Sequence, residues 1–370
     1  MKKLKTIDKY LGTIDRKIKL LSRINPSNAD SQRKKFLYLY IRGRAYNPAF
    51  TYKPANINLK EMRRELSVLR INIPKDKDEK WFFAKQLKNK RRRIMKKIKN
   101  IRYRGLPKFA ALSRELFGAP SQEQIRYAQS CFTPKMASYF SKIEDSISDR
   151  ETASRFYKRI GALRLPWQVK LRKNMSSKAG LDSRSKYLLI KTGERFAPEE
   201  IESLIVHEIE THIFRKENGL LQPFPHLFSE GFAGPPTTEE GLAFYNETLF
   251  KHDPRRMLIV AGRTIAAHLA RRKSFYEVFC KLHALGLPPT YAWNITLRVK
   301  RGISDTSRPG AFTKDHHYLK GYLDVKKFLE NGGDARRLYI GKLNISNAES
   351  LVKFGVTIKE PKYIPRHFRN

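Results

Sequence analysis

The chain has 370 residues, 40% of them hydrophobic, which suffices for one large domain or two ordinary ones with a substantial core. Its 76 lysine and arginine residues against 35 aspartate and glutamate residues give a net charge of +41, which favours anionic partners without choosing between nucleic acid, membrane lipid and acidic polypeptide. Two cysteines, Cys131 and Cys280, exclude a disulfide framework and a thiolate zinc site. Without a run of 18 apolar residues or the core of a signal peptide, the sequence predicts a cytoplasmic protein that does not cross a membrane.

The first 150 residues are predicted to be mostly helical and strongly basic. Residues 4–23 are predicted to form an amphipathic helix because apolar residues recur at helical spacing, at Ile7, Leu11, Ile14, Ile18 and Leu21. Residues 85–104 contain eleven lysine or arginine residues and no acidic residue, over an apolar stripe of Leu87, Ile94, Ile98 and Ile101. This basic run is either the solvated face of a docked helix or an anion-binding surface.

From about residue 151 the pattern changes. Two short segments, "WQVKLRK" at 167–173 and "KYLLIK" at 186–191, are predicted to be strands that pair with each other. A helix is then predicted to begin at Pro198 and to end at Asn218-Gly219. Most of the chain after residue 240 has helical patterns.

The predicted helix carries "SLIVHEIETHIFRKENG", in which His207 and His212 are five residues apart. An α-helix turns by about 100° per residue, so this spacing points the two imidazoles to different sides. Either a π-bulge restores a common face, or the metal-binding pair is Glu208 and His212, which are four residues apart. The chemistry of zinc favours the first solution, because hydrolytic zinc sites combine imidazoles with one carboxylate and leave Glu208 as the general base.

A following helix offers the third ligand. The segment "TTEEGLAFYNE" places Glu239 and Glu240 at its start, and a carboxylate from a following helix is the usual third ligand of a catalytic zinc site with two histidines. The fourth position then stays open for a water molecule, whose pKa zinc lowers and whose proton Glu208 takes. A pair of histidines on a helix is also compatible with simple packing or surface roles, and the second group of acids argues against that interpretation.

Taken together, these segments resemble the tyrosine carboxypeptidase family of metallopeptidases. Its animal members are microtubule-associated enzymes that remove the last tyrosine of α-tubulin, and its bacterial members share a Gln-Glu-Gly-Leu-Pro motif. The resemblance covers nearly the whole chain. It is carried by "HEIETH" (207–212), "QPF" (222–224), "EEGLA" (239–243), "NPAF" (47–50), "LFGAP" (116–120), "WQVKLRKNMSSKAG" (167–180), "TGERF" (192–196), "RVKRGISDTSRPGAFTKDHHYLKGYL" (298–323) and "LYIGKL" (338–343).

This resemblance implies one Zn²⁺ per chain, held by His207, His212 and Glu240, with Glu208 as the base. Glu240 is preferred over Glu239 because it directly precedes Gly241 in the motif. Compared with the bacterial motif, Glu239 replaces glutamine and Ala243 replaces proline.

A carboxypeptidase must also neutralise the α-carboxylate of its substrate, for which arginine and lysine are suited. The candidates for binding substrate are Arg298, Arg301, Lys314, His317 and Tyr318, with His317 or Tyr318 as possible oxyanion donors. The strand at 186–191 is hypothesised to be an edge strand that pairs with extended substrate. The expected partner is an acidic polypeptide tail, tubulin-like only if the source has tubulin, which the basic N-terminal region would steer.

The sequence therefore predicts an α+β protein, mostly helical, with a small sheet beside the metal-binding helix. Residues 1–150 are predicted to form a basic helical region that packs on a catalytic domain at 151–370. The function predicted is that of a zinc metallocarboxypeptidase. The alternative is a non-enzymatic protein that binds a polyanion such as nucleic acid, non-specifically, and has a degenerate metal site.

Overall fold

The computed structural model describes residues 1–368, apart from 134, 136, 137, 143, 174, 176, 251 and 252. The protein is α+β and mostly helical, as the sequence predicts. Its α-helices are Lys2–Ile18, Leu20–Ile24, Ala29–Ile41, Leu59–Val68, Glu79–Arg102, Lys108–Phe117, Gln122–Ser130, Tyr139–Lys142, Asp149–Ala162, Pro198–Ile205, Phe214–Leu220, Pro225–Glu230, Thr237–Leu249, Arg255–Leu269, Phe275–Ala284, Pro289–Lys300, His317–Glu330, Ala335–Leu338 and Ile345–Lys353. A π-helix spans Val206–Ile213, and 3₁₀ helices span Thr313–His316 and Arg366–Phe368.

The chain divides into two compact units, each drawn from three segments. The first unit comprises Met1–Phe140, Ala233–Thr237 and Arg255–Lys320. The second unit comprises Ser141–Phe232, Thr238–Pro254 and Gly321–Asn370. The functional division predicted at residue 150, between a basic helical region and a catalytic domain, stays a prediction. In the part of the chain that the structure describes, no helix has both the length and the apolar character needed to cross a membrane.

In the first unit, the helix Lys2–Ile18 packs along the basic helix Glu79–Arg102. The apolar stripe predicted for the basic helix is buried, as are the predicted apolar positions of the N-terminal helix up to Ile18. Leu21 is 38% exposed, contrary to the prediction of one helix over 4–23. The cause is Lys19, which has a left-handed backbone conformation (φ 41°) and separates two helices.

The second unit contains both sheets. Strands β2 (Gln168–Arg172), β4 (Tyr187–Lys191) and β3 (Ala179–Asp182) lie in the order β2-β4-β3. β4 pairs in parallel with β2 and antiparallel with β3. The short strands β1 (Ile147–Ser148) and β5 (Arg195–Phe196) form an antiparallel pair.

The predicted pairing of 167–173 with 186–191 is therefore confirmed, but the prediction that 186–191 is an edge strand is wrong. β4 lies in the centre of its sheet, and its three consecutive apolar residues, Leu188, Leu189 and Ile190, are all buried. Such a run is typical of a strand covered on both faces rather than of a half-exposed edge. It is β3, an outer strand, that contacts the π-helix, which confirms a small sheet beside the metal-binding helix.

Candidate metal centre

The helix that carries the two histidines changes its pitch at the motif. It is α-helical over Pro198–Ile205, π-helical over Val206–Ile213 and α-helical again from Phe214. The backbone N–H of Phe214 donates to the carbonyl of Ile209, five residues earlier, as a π turn requires. The predicted π-bulge is thus confirmed, and it extends over eight residues. The rings of His207 and His212 lie with their centroids 4.8 Å apart.

Three side chains converge here as a group that could hold a metal ion. The candidate ligand atoms of His207, His212 and Glu240 all lie within 4.8 Å of one another. Nε2 of His212 is 3.9 Å from Oε2 of Glu240. Ligand atoms around a tetrahedral zinc ion lie about 3.4 Å apart, so a small inward movement of the side chains would complete the geometry. The donor set fits zinc, since it combines two imidazoles with one carboxylate.

Two further glutamates orient the imidazoles. Nδ1 of His207 is 2.6 Å from Oε1 of Glu247, and Nδ1 of His212 is 2.6 Å from Oε1 of Glu239. A carboxylate at Nδ1 favours the tautomer in which Nδ1 carries the proton, which leaves the Nε2 lone pair for a metal. Sequence reasoning missed this role of Glu247. The sequence does contain a sign of this role: Glu247 follows Glu240 by seven residues, which places both on one face of the same helix.

Glu239 is itself held by two cations. Its carboxylate accepts from Arg215 and forms an ion pair with Lys342 at 2.8 Å. Burial alone would raise the pKa of Glu239, but Lys342, Arg215 and His212 together hold it well below the usual value. Arg215, which is fully buried, also donates to the carbonyls of Leu338 and Leu343 at 2.8 and 2.6 Å. Carbonyls of the segment "LYIGKL" (338–343) thus hold Arg215, Arg215 holds Glu239, and Glu239 contacts His212.

The two other acids of the motif differ in their surroundings. Glu208 is 8% exposed, and burial raises the pKa of its carboxyl above the usual value. Glu210 accepts a hydrogen bond from Arg159 on the helix Asp149–Ala162. Because Glu210 is committed to that ion pair, Glu208 is the better candidate for a proton acceptor beside the metal.

A close contact between two backbones explains why the residue after the candidate ligand Glu240 is a glycine. A Cβ atom at Gly241 would lie 2.0 Å from the backbone carbonyl carbon of Gly321. Only a residue without a side chain permits this approach of two helices. The close contact fixes the first turn of Thr237–Leu249, where Glu239 and Glu240 lie.

The predicted substrate-binding residues belong to the first unit. Arg298 and Arg301 both pair with Asp315, which is fully buried, and Lys314 lies 5.3 Å from the centre of the Tyr318 ring. Burial alone would raise the pKa of Asp315, but the neighbouring cations, Arg298 first, lower it. Asp315 accepts a hydrogen bond from each of the two arginines, so part of their N–H groups is already engaged. Asp315 was not identified from the sequence as a residue of interest.

His317 is fixed by hydrogen bonds at both ring nitrogens. Its Nδ1 lies 2.9 Å from the hydroxyl of Thr237, and its Nε2 lies 2.8 Å from the carbonyl oxygen of Phe117. Burial lowers the pKa of His317 to about 2, so the imidazole is neutral. A neutral imidazole has one N–H, which the Phe117 carbonyl accepts, so Tyr318 is the better candidate of the two predicted oxyanion donors, and the roles of both stay predictions.

Two histidines on a widened helical turn, a carboxylate from a following helix and an adjacent buried glutamate define a candidate His₂Glu metal centre in a mostly helical α+β protein. Residues 38–370 match the family model described as "Microtubule-associated tyrosine carboxypeptidase", and the chain belongs to this family. The resemblance inferred from the sequence is confirmed.

Individual relatives share part of the chain. The Mus musculus protein named "Putative tyrosine carboxypeptidase MATCAP2" is 33% identical over 177 residues, which are 46% of this chain and 33% of that relative. "Microtubule-associated tyrosine carboxypeptidase 1" is 32% identical over 162 residues in Mus musculus and 31% over 162 residues in Homo sapiens. In both cases the match covers 42% of this chain and 34% of the relative. The chain spans about a third of the length of these curated relatives.

Proposed function

We propose that the protein is a zinc-dependent metallocarboxypeptidase that removes one residue from the C-terminus of an acidic polypeptide. The observation that carries this proposal is the convergence of His207, His212 and Glu240, with both Nδ1 atoms of the imidazoles already engaged by carboxylates. Such an arrangement leaves the Nε2 atoms available for a metal, and outer carboxylates of this kind accompany most metal-binding histidines.

Each acid then has its own task in the reaction. When bound, a zinc ion supplies Lewis acidity that polarises the scissile carbonyl and acidifies a water molecule. Glu208 accepts the proton of that water and later passes it to the leaving amine. Its burial suits a general base, because a carboxyl with a raised pKa is a stronger proton acceptor. Glu239 and Glu247 keep the imidazoles in their orientation throughout.

The residues proposed to bind the α-carboxylate of the substrate are those predicted from the sequence. Arg298, Arg301 and Lys314 supply charges that match an α-carboxylate, and the planar guanidinium can bind it through two hydrogen bonds. Tyr318 is proposed to donate to the developing oxyanion. Because β4 already pairs with a strand at each edge, it has no edge left for an extended substrate. The outer strand β3, which contacts the π-helix, is the better candidate for such pairing.

The substrate class follows from charge and from the relatives. Proteins named as microtubule-associated tyrosine carboxypeptidases point to a C-terminal tyrosine on a tubulin-like tail, if the source has such a protein. A net charge of +41 fits an acidic tail of this kind. The same relatives fit a cytoplasmic location, which stays a prediction.

The test combines metal content with a matched pair of variants. We expect about one zinc per chain in the parent protein, in Glu208→Gln and in Glu210→Gln. Peptide-library cleavage, followed by mass spectrometry of the C-termini, should fall by at least about 100-fold in Glu208→Gln and stay near the parent value in Glu210→Gln. Both substitutions remove one buried carboxylate from the same helix, so their difference isolates the base.

Two results would contradict the proposal. A parent protein that binds no zinc after exposure to the metal would leave the polyanion-binding alternative as the better interpretation. Undiminished cleavage by Glu208→Gln would remove the assigned base. The identity of the released residue, read from the same library, decides between tyrosine and other termini.

A further inference from the structure

We infer that Thr211 is a positioning residue that holds the metal-binding helix in its π conformation, through a buried hydrogen-bond network centred on Asn246. The inference rests on the proposed function, because positioning matters here through the metal. Thr211 occupies the position four residues after His207, where an ordinary α-helix would present the partner of His207. It offers a hydroxyl there instead of an imidazole.

The hydroxyl of Thr211 makes a contact that suits a widened turn. It donates to the carbonyl oxygen of Val206 at 3.1 Å, five residues earlier in the chain. In α-helices the threonine hydroxyl instead reaches the carbonyl three or four residues earlier. The contact to Val206 therefore matches the five-residue reach of a π turn.

Asn246 supports the same hydroxyl from the neighbouring helix. Its side-chain amide donates to the hydroxyl of Thr211 and to the hydroxyl of Tyr339, both at 2.7 Å. The exposed fractions of Thr211, Asn246 and Tyr339 are all 0%. Asn246 lies on the helix that also carries Glu240, so this network joins the two elements that supply all three candidate ligands.

A change of helical register would break these bonds. Returning Val206–Ile213 to α-helical pitch would rotate His212 away from His207 and move the Thr211 hydroxyl off Val206. Asn246 would then retain a buried amide N–H without its acceptor, which is costly in a dry interior. The network thus favours the register in which both imidazoles face Glu240.

The test measures zinc affinity by competition with a chromophoric chelator, with folding followed by circular dichroism. Thr211→Val removes the hydroxyl at constant shape and is expected to weaken zinc binding by about 10- to 100-fold. Thr211→Ser keeps the hydroxyl and is expected to restore affinity to near the parent value. Thr152→Val is the matched control, because Thr152 is equally buried in the second unit and its hydroxyl donates to the carbonyl of Ser148 at α-helical spacing.

A second variant covers the case in which Thr211→Val does not fold. Asn246→Ala leaves the threonine intact, removes its donor and is expected to weaken zinc binding by about tenfold. Parent-like affinity in the folded Thr211→Val protein, or in Asn246→Ala, would overturn the inference and leave the proposed function standing. An equal loss of affinity in Thr152→Val would also overturn it. Failure of the parent to bind zinc would overturn the proposed function and this inference together.

Discussion

Five glutamates on two neighbouring segments, 207–212 and 237–249, have four different kinds of surroundings. Glu240 lies close to His212 as a candidate ligand, and Glu239 and Glu247 contact the outer nitrogens of the two imidazoles. Glu208 is buried next to His207 in the chain, whereas Glu210 accepts a hydrogen bond from Arg159. The residue type is the same in each case, so the partner and the degree of burial decide the chemistry.

At this scale the structure predicts that Glu247 tunes the metal affinity through His207. Glu247→Gln keeps a hydrogen-bond acceptor at Nδ1 but removes the negative charge, and it is expected to weaken zinc binding by about tenfold. The control is Glu217→Gln, since Glu217 is a buried acid of the same unit that accepts from the Trp167 indole. Chelator competition checks both variants. Equal affinity in the two would mean that the charge of Glu247 does not act on the metal.

The sequence predicted the three residues that converge as candidate ligands and the glutamate proposed as the base, but not the residues that contact the outer nitrogens of the imidazoles. His207, Glu208 and His212 stand close together in the chain, and Glu240 follows with a recognisable glycine. The contacts of Glu247 and Glu239 depend on how two helices pack, which spacing alone does not reveal. The pairing of Asp315 with Arg298 and Arg301 was missed for a similar reason, because those arginines lie 17 and 14 residues away along the chain.

At the level of elements, this chain has a π-helix with histidines five residues apart, where ordinary zinc-peptidase helices are α-helical with histidines four residues apart. One additional residue between the histidines is absorbed by the wider turn, so the flanking α-helical segments continue without a break. The sequence allowed this conclusion because five-residue spacing and a shared ligand face are compatible only if the helix departs from α geometry.

Deleting one residue tests this geometric account. Removal of Glu210 restores a spacing of four, so the segment should become α-helical and keep its zinc affinity within about tenfold of the parent. Removal of Ser203, which precedes both histidines, leaves their spacing at five and turns both imidazoles together by about 100° relative to Glu240, so zinc binding should be lost. Chelator competition and a crystal structure of the first deletion would check the result. Loss of zinc binding in both deletions would contradict it.

The strand at 186–191 shows where prediction at the level of elements failed. Its three apolar residues in a row favour a covered strand over an exposed edge, but the second neighbour that makes it central, β3, was not predicted. β3 has the sequence "AGLD", which contains a glycine and an aspartate and so gives a weak strand signal. A strand stabilised mainly by its pairing partner is difficult to recognise from its own residues.

For the whole molecule, part of the surplus of positive charge lies on two helices of the first unit that pack against each other. Lys2–Ile18 and Glu79–Arg102 together carry 17 basic residues, 6 and 11, and 3 acidic residues, 2 and 1. One of these acids, Asp15, is buried between Lys90 and Lys97 at 3.0 and 2.6 Å. Lys85, Arg92 and Lys99 are exposed and spaced by seven, which aligns them along one side of the basic helix.

This charge should act on the encounter with substrate more than on the chemical step. Raising the salt concentration from about 50 to 300 mM shortens the screening length, so KM for an acidic peptide should rise several-fold while kcat changes little. Replacing Lys85, Arg92 and Lys99 by glutamate should raise KM in the same direction. A peptide with a neutral tail and the same terminal residue is the control. A KM for the acidic peptide that does not respond to salt would exclude steering.

The contact between Gly241 and Gly321 has a consequence for natural variation in this protein. Neither glycine has a side chain that could bind an ion, yet a single methyl group at residue 241 would push apart two backbones and displace its neighbour, the carboxylate at 240. Tolerance to mutation will therefore not rise smoothly with distance from the candidate metal centre. Some of the least replaceable positions will be chemically inert ones.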